Sequence, residues 1–111
     1  MNMGRKIEIN HIMKEIEVAG CLLWEQKPEG YKKVQEIVKQ LGNIIPEILD
    51  FLLLYDIDGN SAEMMIAQLQ TINRGLENRD VVCLADTLNY ELYNVLEMYQ
   101  DIAQYNMVEE N

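Results

Sequence analysis

A chain of 111 residues, 49% of them hydrophobic, has the length of one domain and enough apolar side chains to bury a core without disulfides or a structural metal. Nineteen acidic against nine basic side chains leave a formal charge of −10, which opposes phosphate backbones and anionic lipid surfaces, so neither nucleic acid nor membrane is expected as a partner. Cys21 and Cys83 belong to no C-x-x-C pair and read as small hydrophobes of a reducing compartment, with an inter-helix disulfide as the alternative.

The N-terminal segment, MNMGRKIEINHIMKEIEVAG, interleaves charges with apolar residues and lacks the continuous apolar region of a signal peptide, which points to a cytoplasmic protein. Helical spacing over about 5–25 puts Ile9, Ile12, Met13, Ile16, Ala19, Gly20 and Leu23 on one stripe, with Trp24 at its margin. Ile7, His11, Val18 and Leu22 share another side of the same helix, away from that stripe. An apolar strip of this kind packs on a neighbouring helix or serves an interface. Glu8 and His11 have the spacing of helical di-iron ligands. His11 is the only histidine, however, so the second such motif is missing, and no metal or other cofactor is expected. The basic pairs Arg5–Lys6 and Lys32–Lys33 read as solvated helix ends.

A break at Gln26-Lys27-Pro28-Glu29-Gly30 follows, with Pro28 suited to the first turn of a helix. The apolar phase of Val34, Ile37, Val38, Leu41, Ile44, Ile45, Ile48 and Leu52 then runs unbroken, although Gly42 and Pro46 interrupt it. This predicts one helix over 29–55 with a kink near Gly42 and Pro46, where the proline ring meets the carbonyl of an adaptable residue. The alternative is a helix that stops near Gly42 and restarts near Asn43. The most apolar run, Ile44–Tyr55, contains Pro46, Glu47 and Asp50 and is too short for a bilayer. Asp56-Ile57-Asp58-Gly59-Asn60 is a turn by composition. Its alternating acids match the opening of a calcium loop, but Ser61 stands where that loop requires Gly and Ala67 where it requires Glu. Asn60 with Glu63 resembles a capping box instead.

The third helix, about 61–77, buries Ala62, Met65, Leu69, Ile72 and Leu76, with Ile66 on its flank. Asn78-Arg79 makes a tight connection, and Asp80 is a good N-cap for a fourth helix over about 80–105. There Val81, Leu84, Leu88, Leu92, Val95, Tyr99 and Ile102 form the core stripe, edged by Ala85, Leu96 and Ala103. Val82, Asp86, Tyr90, Tyr93 and Glu97 lie on nearly the opposite side, where the rings either cover neighbouring helices or stand exposed, or else serve an interface, which suits tyrosine because it joins an apolar ring to a polar tip. Glu91 flanks the core stripe and, if partly buried, requires a donor such as Arg5, Arg74, Tyr31 or a backbone N–H. Short connections make neighbouring helices antiparallel, so the expected fold is all-α, an up-down-up-down four-helix bundle forming a single domain over 1–111.

The segment D-x-V-x-L-A-D-x-L-x-Y-E-L, formed by Asp80, Val82, Leu84, Ala85, Asp86, Leu88, Tyr90, Glu91 and Leu92, resembles the closing helix of a group of small uncharacterised bacterial helical proteins. The spacing of Gly30, Leu41, Gly42 and Ile45 is similar to that group's second helix, from which Pro46 departs. The resemblance implies a helical fold and carries over no catalytic residue. No glycine-rich phosphate loop is present, and no serine or cysteine stands beside a general base. The acids are scattered rather than clustered as in magnesium-dependent helical pyrophosphohydrolases. The expected function is therefore non-enzymatic protein–protein interaction, with another protein or as a homodimer, through Ile7, His11, Val18 and Leu22 on the first helix and Val82, Asp86, Tyr90, Tyr93 and Glu97 on the fourth. The alternatives are a helical enzyme or small-ligand domain with an acidic interhelical site around Glu91, and an adaptor resembling flagellar export chaperones in architecture alone.

Overall fold

The first apolar stripe is continuous enough to specify a long helix, and α1 spans Met3–Trp24 in the computed structural model, which describes residues 3–55 and 60–109 and places side chains for 4–54, 60 and 62–101. Ile9, Ile12, Met13, Ile16, Ala19, Gly20 and Leu23 are all buried, whereas Trp24 is exposed. Gln26 ends the helix in the left-handed region (φ 58°), so that the Gln26 and Lys27 N–H groups donate to the Leu23 and Leu22 carbonyls. This closure reverses the chain tightly. A Cβ on Gly30 would lie 3.1 Å from the Leu23 backbone nitrogen, so α2 (Glu29–Gly42) begins where glycine permits an approach that a larger residue would have to widen by a few tenths of an ångström. Lys33 of α2 reaches back to Glu15 of α1 at 2.7 Å.

The continuous helix expected over 29–55 is instead two helices. After α2, Asn43 and Ile44 donate their N–H groups three residues back, to Gln40 and Leu41, and α3 (Ile45–Tyr55) starts with the bond from Ile48 N–H to the Ile44 carbonyl. Pro46 thus falls in the first turn of α3, where its missing N–H has no intrahelical partner to lose. Periodicity concealed the break because Ile44 and Ile48 are buried on both sides of it. The turn expected at Asp56–Gly59, with the acids of its calcium-like pattern, lies outside the described residues. Asn60 precedes α4 (Ser61–Asn78) but its side chain makes no capping bond, so the expected capping box with Glu63 is not formed.

Arg79 closes α4 in the left-handed region (φ 50°), and Asp80 N–H donates to the Gly75 carbonyl at 2.9 Å. Tyr31 of α2 secures this corner: the Arg79 guanidinium lies 4.9 Å from its ring centre, and its hydroxyl donates to the Arg79 carbonyl at 3.3 Å. Asp80 then caps the next helix as expected, its carboxylate accepting from Cys83 N–H at 3.0 Å. The closing helix has three parts: α5 (Val81–Asp86), a π-helical segment (Thr87–Leu92) and α6 (Tyr93–Glu109). Its backbone stays helical through both junctions, and Tyr93 N–H donates to the Leu88 carbonyl five residues back, the wide turn that defines the π form.

α1 packs on α2 and on the closing helix, and α4 packs on the closing helix and on α3. Along α1, Asn10 meets Gln100, Glu17 meets Tyr93, and Gly20 meets Asn89, so these two helices run antiparallel. Gly75 lets α4 approach α5 closely, since a Cβ there would stand 2.8 Å from Leu84 Cδ2. At the far end, Arg5 pairs with Glu47 of α3, and Phe51 meets Tyr99 edge to face at 4.8 Å. The result is an all-helical body of 47 × 26 × 20 Å. Among the described residues there is no strand, and no helix is long and apolar enough to cross a membrane.

Candidate functional site

The seam between α4 and the closing helix is closed on its inner side by Met65, Ile72, Leu84, Leu88 and Leu92, and open on its outer side. Residues 64, 68, 71, 75 and 78 of α4 follow helical spacing and so line one face of that opening. One part is a groove of about 350 Å³ between Met64 and Gln68 on one wall and Tyr90, Glu91, Asn94, Val95 and Met98 on the other. It continues past Ala67 and Thr71, where a smaller hollow of about 160 Å³ shares Met64, Gln68 and Glu91 with the first. Beyond Thr71 a third hollow of about 320 Å³ reaches Arg74, Asn78 and Cys83.

The walls are chemically uneven. Met64 and Tyr90 are 54% and 69% exposed, an unusual position for a thioether and a phenol ring on either side of one groove. The floor holds Gln68, only 6% exposed, whose Oε1 is buried and accepts no hydrogen bond. Leaving such an acceptor unpaired costs about 1–3 kcal/mol. The opposite wall is the π segment, whose widened turn carries Tyr90 and Glu91 to the groove. Asn94 donates its side-chain amide to the Tyr90 carbonyl there, giving that acceptor a local partner where the helical ladder is stretched. Glu91 is exposed at the rim rather than partly buried beside the core, and the donors expected for it are engaged elsewhere: Arg5 with Glu8 and Glu47, Arg74 with Thr71 Oγ1, and Tyr31 with the Arg79 carbonyl.

The nine residues expected to form an interaction surface divide into several places. On α1, Ile7, His11 and Val18 are exposed and Leu22 is half-buried. His11 lies 3.8 Å from Glu15, while Glu8 is held by Arg5 at 2.7 Å, so the Glu-x-x-His pair is not brought together as a ligand set. On the closing helix, Val82, Asp86, Tyr90 and Glu97 are exposed. Tyr93 is half-buried and turns toward α1, where its hydroxyl donates to Glu17 at 3.3 Å. Burial, and then the neighbouring Glu17 and Glu97 carboxylates, push its phenol above the ordinary value. Tyr90 therefore faces the α4 groove while Tyr93 faces α1. The residues that spacing alone passed over are Gln68, Met64 and Met98. Gln68 stands three residues after Met65 and four before Ile72, a buried register that its polarity disguised.

Both cysteines are free, Cys21 exposed and Cys83 half-buried. Among the described residues no group of three or more His, Cys, Asp or Glu side chains converges as a metal site would require. No family model, no curated protein and no solved structure matches this chain.

Proposed function

We propose that this protein is a non-enzymatic interaction module that binds a protein partner along the groove between α4 and the closing helix. The observation that carries the reading is the open groove itself, with Met64 and Tyr90 exposed on opposite walls and an unpaired amide acceptor in its floor. Exposed aromatic and thioether groups around a concavity are what binding surfaces use and what solvated helix faces lack. Val82, 55% exposed, extends the apolar character along the closing helix. In this reading α2 and α3 together form one broken arm of an up-down-up-down four-helix bundle, and the protein works in the cytoplasm, alone or as a homodimer.

A photoreactive phenylalanine analogue placed at Tyr90 tests the reading in the native host. The expected result is a discrete cross-linked product that the same analogue at Glu29, on the outer side of α2, does not give. Its mass distinguishes a second copy from a foreign partner, and light scattering on the purified protein reports self-association independently. No discrete product from position 90, together with a strict monomer at high concentration, would end the proposal. The groove's volume also favours a second reading, a small-ligand domain, because about 350 Å³ lies in the range of small-molecule sites and Gln68, Glu91 and Asn94 are among its lining residues.

A further inference from the structure

The chain's charge is divided unequally between its halves. From Ser61 to Asp101, seven acidic residues face two arginines, and no lysine or arginine follows Arg79. Over residues 3–55 the two signs nearly balance, with eight acids against seven bases. The groove thus lies in the acidic half of the molecule, lined by Glu91 and Asp80 against Arg74 at its far end. Its walls add a more specific demand. Gln68 in the floor holds an unpaired Oε1 that reaches a donor in the groove only when its amide turns outward, and the Glu91 carboxylate at the rim favours a cation. Between them, Met64, Val95 and Met98 offer apolar surface, and the Tyr90 ring offers a negative π face.

One side chain satisfies all of these together. Arginine has an apolar stem that can lie along methionines, and a planar head with several N–H donors that can serve an amide oxygen and a carboxylate at once. The groove's course along α4 from Met64 to Asn78 is about 20 Å at the helical rise. It runs between two antiparallel helices, which is the bed into which a third amphipathic helix packs. Building on the proposed function, we infer that the partner is a basic amphipathic helix that lays its apolar face along α4 and the closing helix and anchors an arginine between Gln68 and Glu91.

Fluorescence anisotropy with labelled peptides of about 18 residues tests this at about 0.15 M salt, where the screening length is about 8 Å and diffuse charge attraction is weakened. One peptide sets leucine and alanine on a helical face flanked by arginines. A second has the same composition scrambled to destroy that face. The first is expected to bind at least tenfold more tightly than the second. Gln68→Leu and Glu91→Gln are each expected to weaken it about tenfold, as losing one hydrogen bond to a charged group does. Glu29→Gln, an exposed acid on α2, should leave binding unchanged. Amide shifts in nuclear magnetic resonance should concentrate at Met64, Gln68, Tyr90, Glu91 and Met98. Equal binding of the two peptides, equal loss with Glu29→Gln, or shifts centred elsewhere would each overturn the inference. Gln68→Leu removes an unpaired polar group from the interior and Glu91→Gln alters an exposed one, so both variants are expected to fold. A cross-link from position 90 without binding of the basic peptide would sink this inference and leave the proposed function standing. Loss of both would sink both.

Discussion

Gln68 occupies a position on α4 that Met65 and Ile72, one turn to either side, fill with hydrocarbon. Its Oε1 has lost water and gained no donor, so the folded state carries a desolvation cost that an apolar residue of similar size would not. Gln68→Leu should therefore raise the stability of the free protein by about 1–3 kcal/mol in urea unfolding. A decrease would show that the amide is satisfied in solution. A residue that weakens the fold while serving a site is the usual trade between stability and function. Close approach gives a second residue-level test. Gly75 faces the branched Leu84 side chain, with Cγ 2.9 Å from where a Cβ would stand, so Gly75→Ala must displace Leu84 or part α4 from α5 and should cost about 1–3 kcal/mol. Gly20 is crowded by the tip of Asn89, which can swing aside, so Gly20→Ala should cost less. Thermal unfolding of the two variants side by side decides the order.

The closing helix joins two regular helices through a π turn, and a π turn is an α-helix with one residue too many. Removing Tyr90 should let that turn relax to the α form while residues on either side keep their orientation toward α1. The deletion variant is expected to unfold cooperatively and to lose the widened groove wall. Removing Glu97 instead rotates everything after it by about 100°. That turns Tyr99 away from Phe51 and should cost about 3–5 kcal/mol, the scale of losing a buried aromatic side chain. Circular dichroism melts of the two deletions test the assignment, and equal destabilisation would contradict it. The π turn also shows where sequence reading stops. Leu84, Leu88, Leu92 and Val95 fit a regular helical period, so nothing in their spacing marks the insertion. The α1 stripe was legible because one uninterrupted helix buries one face. The break at Asn43 and Ile44 was hidden because apolar residues continue across it. Tyr90 was legible as an exposed ring and Asp80 as a cap, since each depends on local position alone. The groove was not, because Gln68 and Glu91 meet only through the pairing of α4 with the closing helix.

Charge acts over the whole molecule, and at alkaline pH it adds to a local strain at the end where α1, α3 and α6 meet. Tyr99 is 2% exposed against Phe51, and burial, reinforced by Glu47 and partly offset by Arg5, raises its phenol above the ordinary value of 10.0. A phenol whose folded value is raised retains its proton after the unfolded chain has released it. Its stabilising contribution is complete below about pH 10 and is lost as pH rises through the folded value. Tyr93, raised by burial and Glu17, acts in the same direction. So does Lys33, raised chiefly by its hydrogen bond to Glu15, whose contribution also fades above its ordinary 10.5. Each proton lost there adds to a formal charge already at −10, so self-repulsion grows while these contacts weaken. Urea midpoints should hence be level from neutral pH to about pH 10 and fall steeply above it. Tyr99→Phe keeps the ring against Phe51 and removes the ionisable hydroxyl, so it should make the alkaline fall shallower while leaving the neutral midpoint nearly unchanged. Added salt should reduce what remains of the fall, because it screens the exposed carboxylates more than a buried phenol. An alkaline limb identical in Tyr99→Phe and the parent protein would assign the transition to Lys33, Tyr93 and the general charge instead.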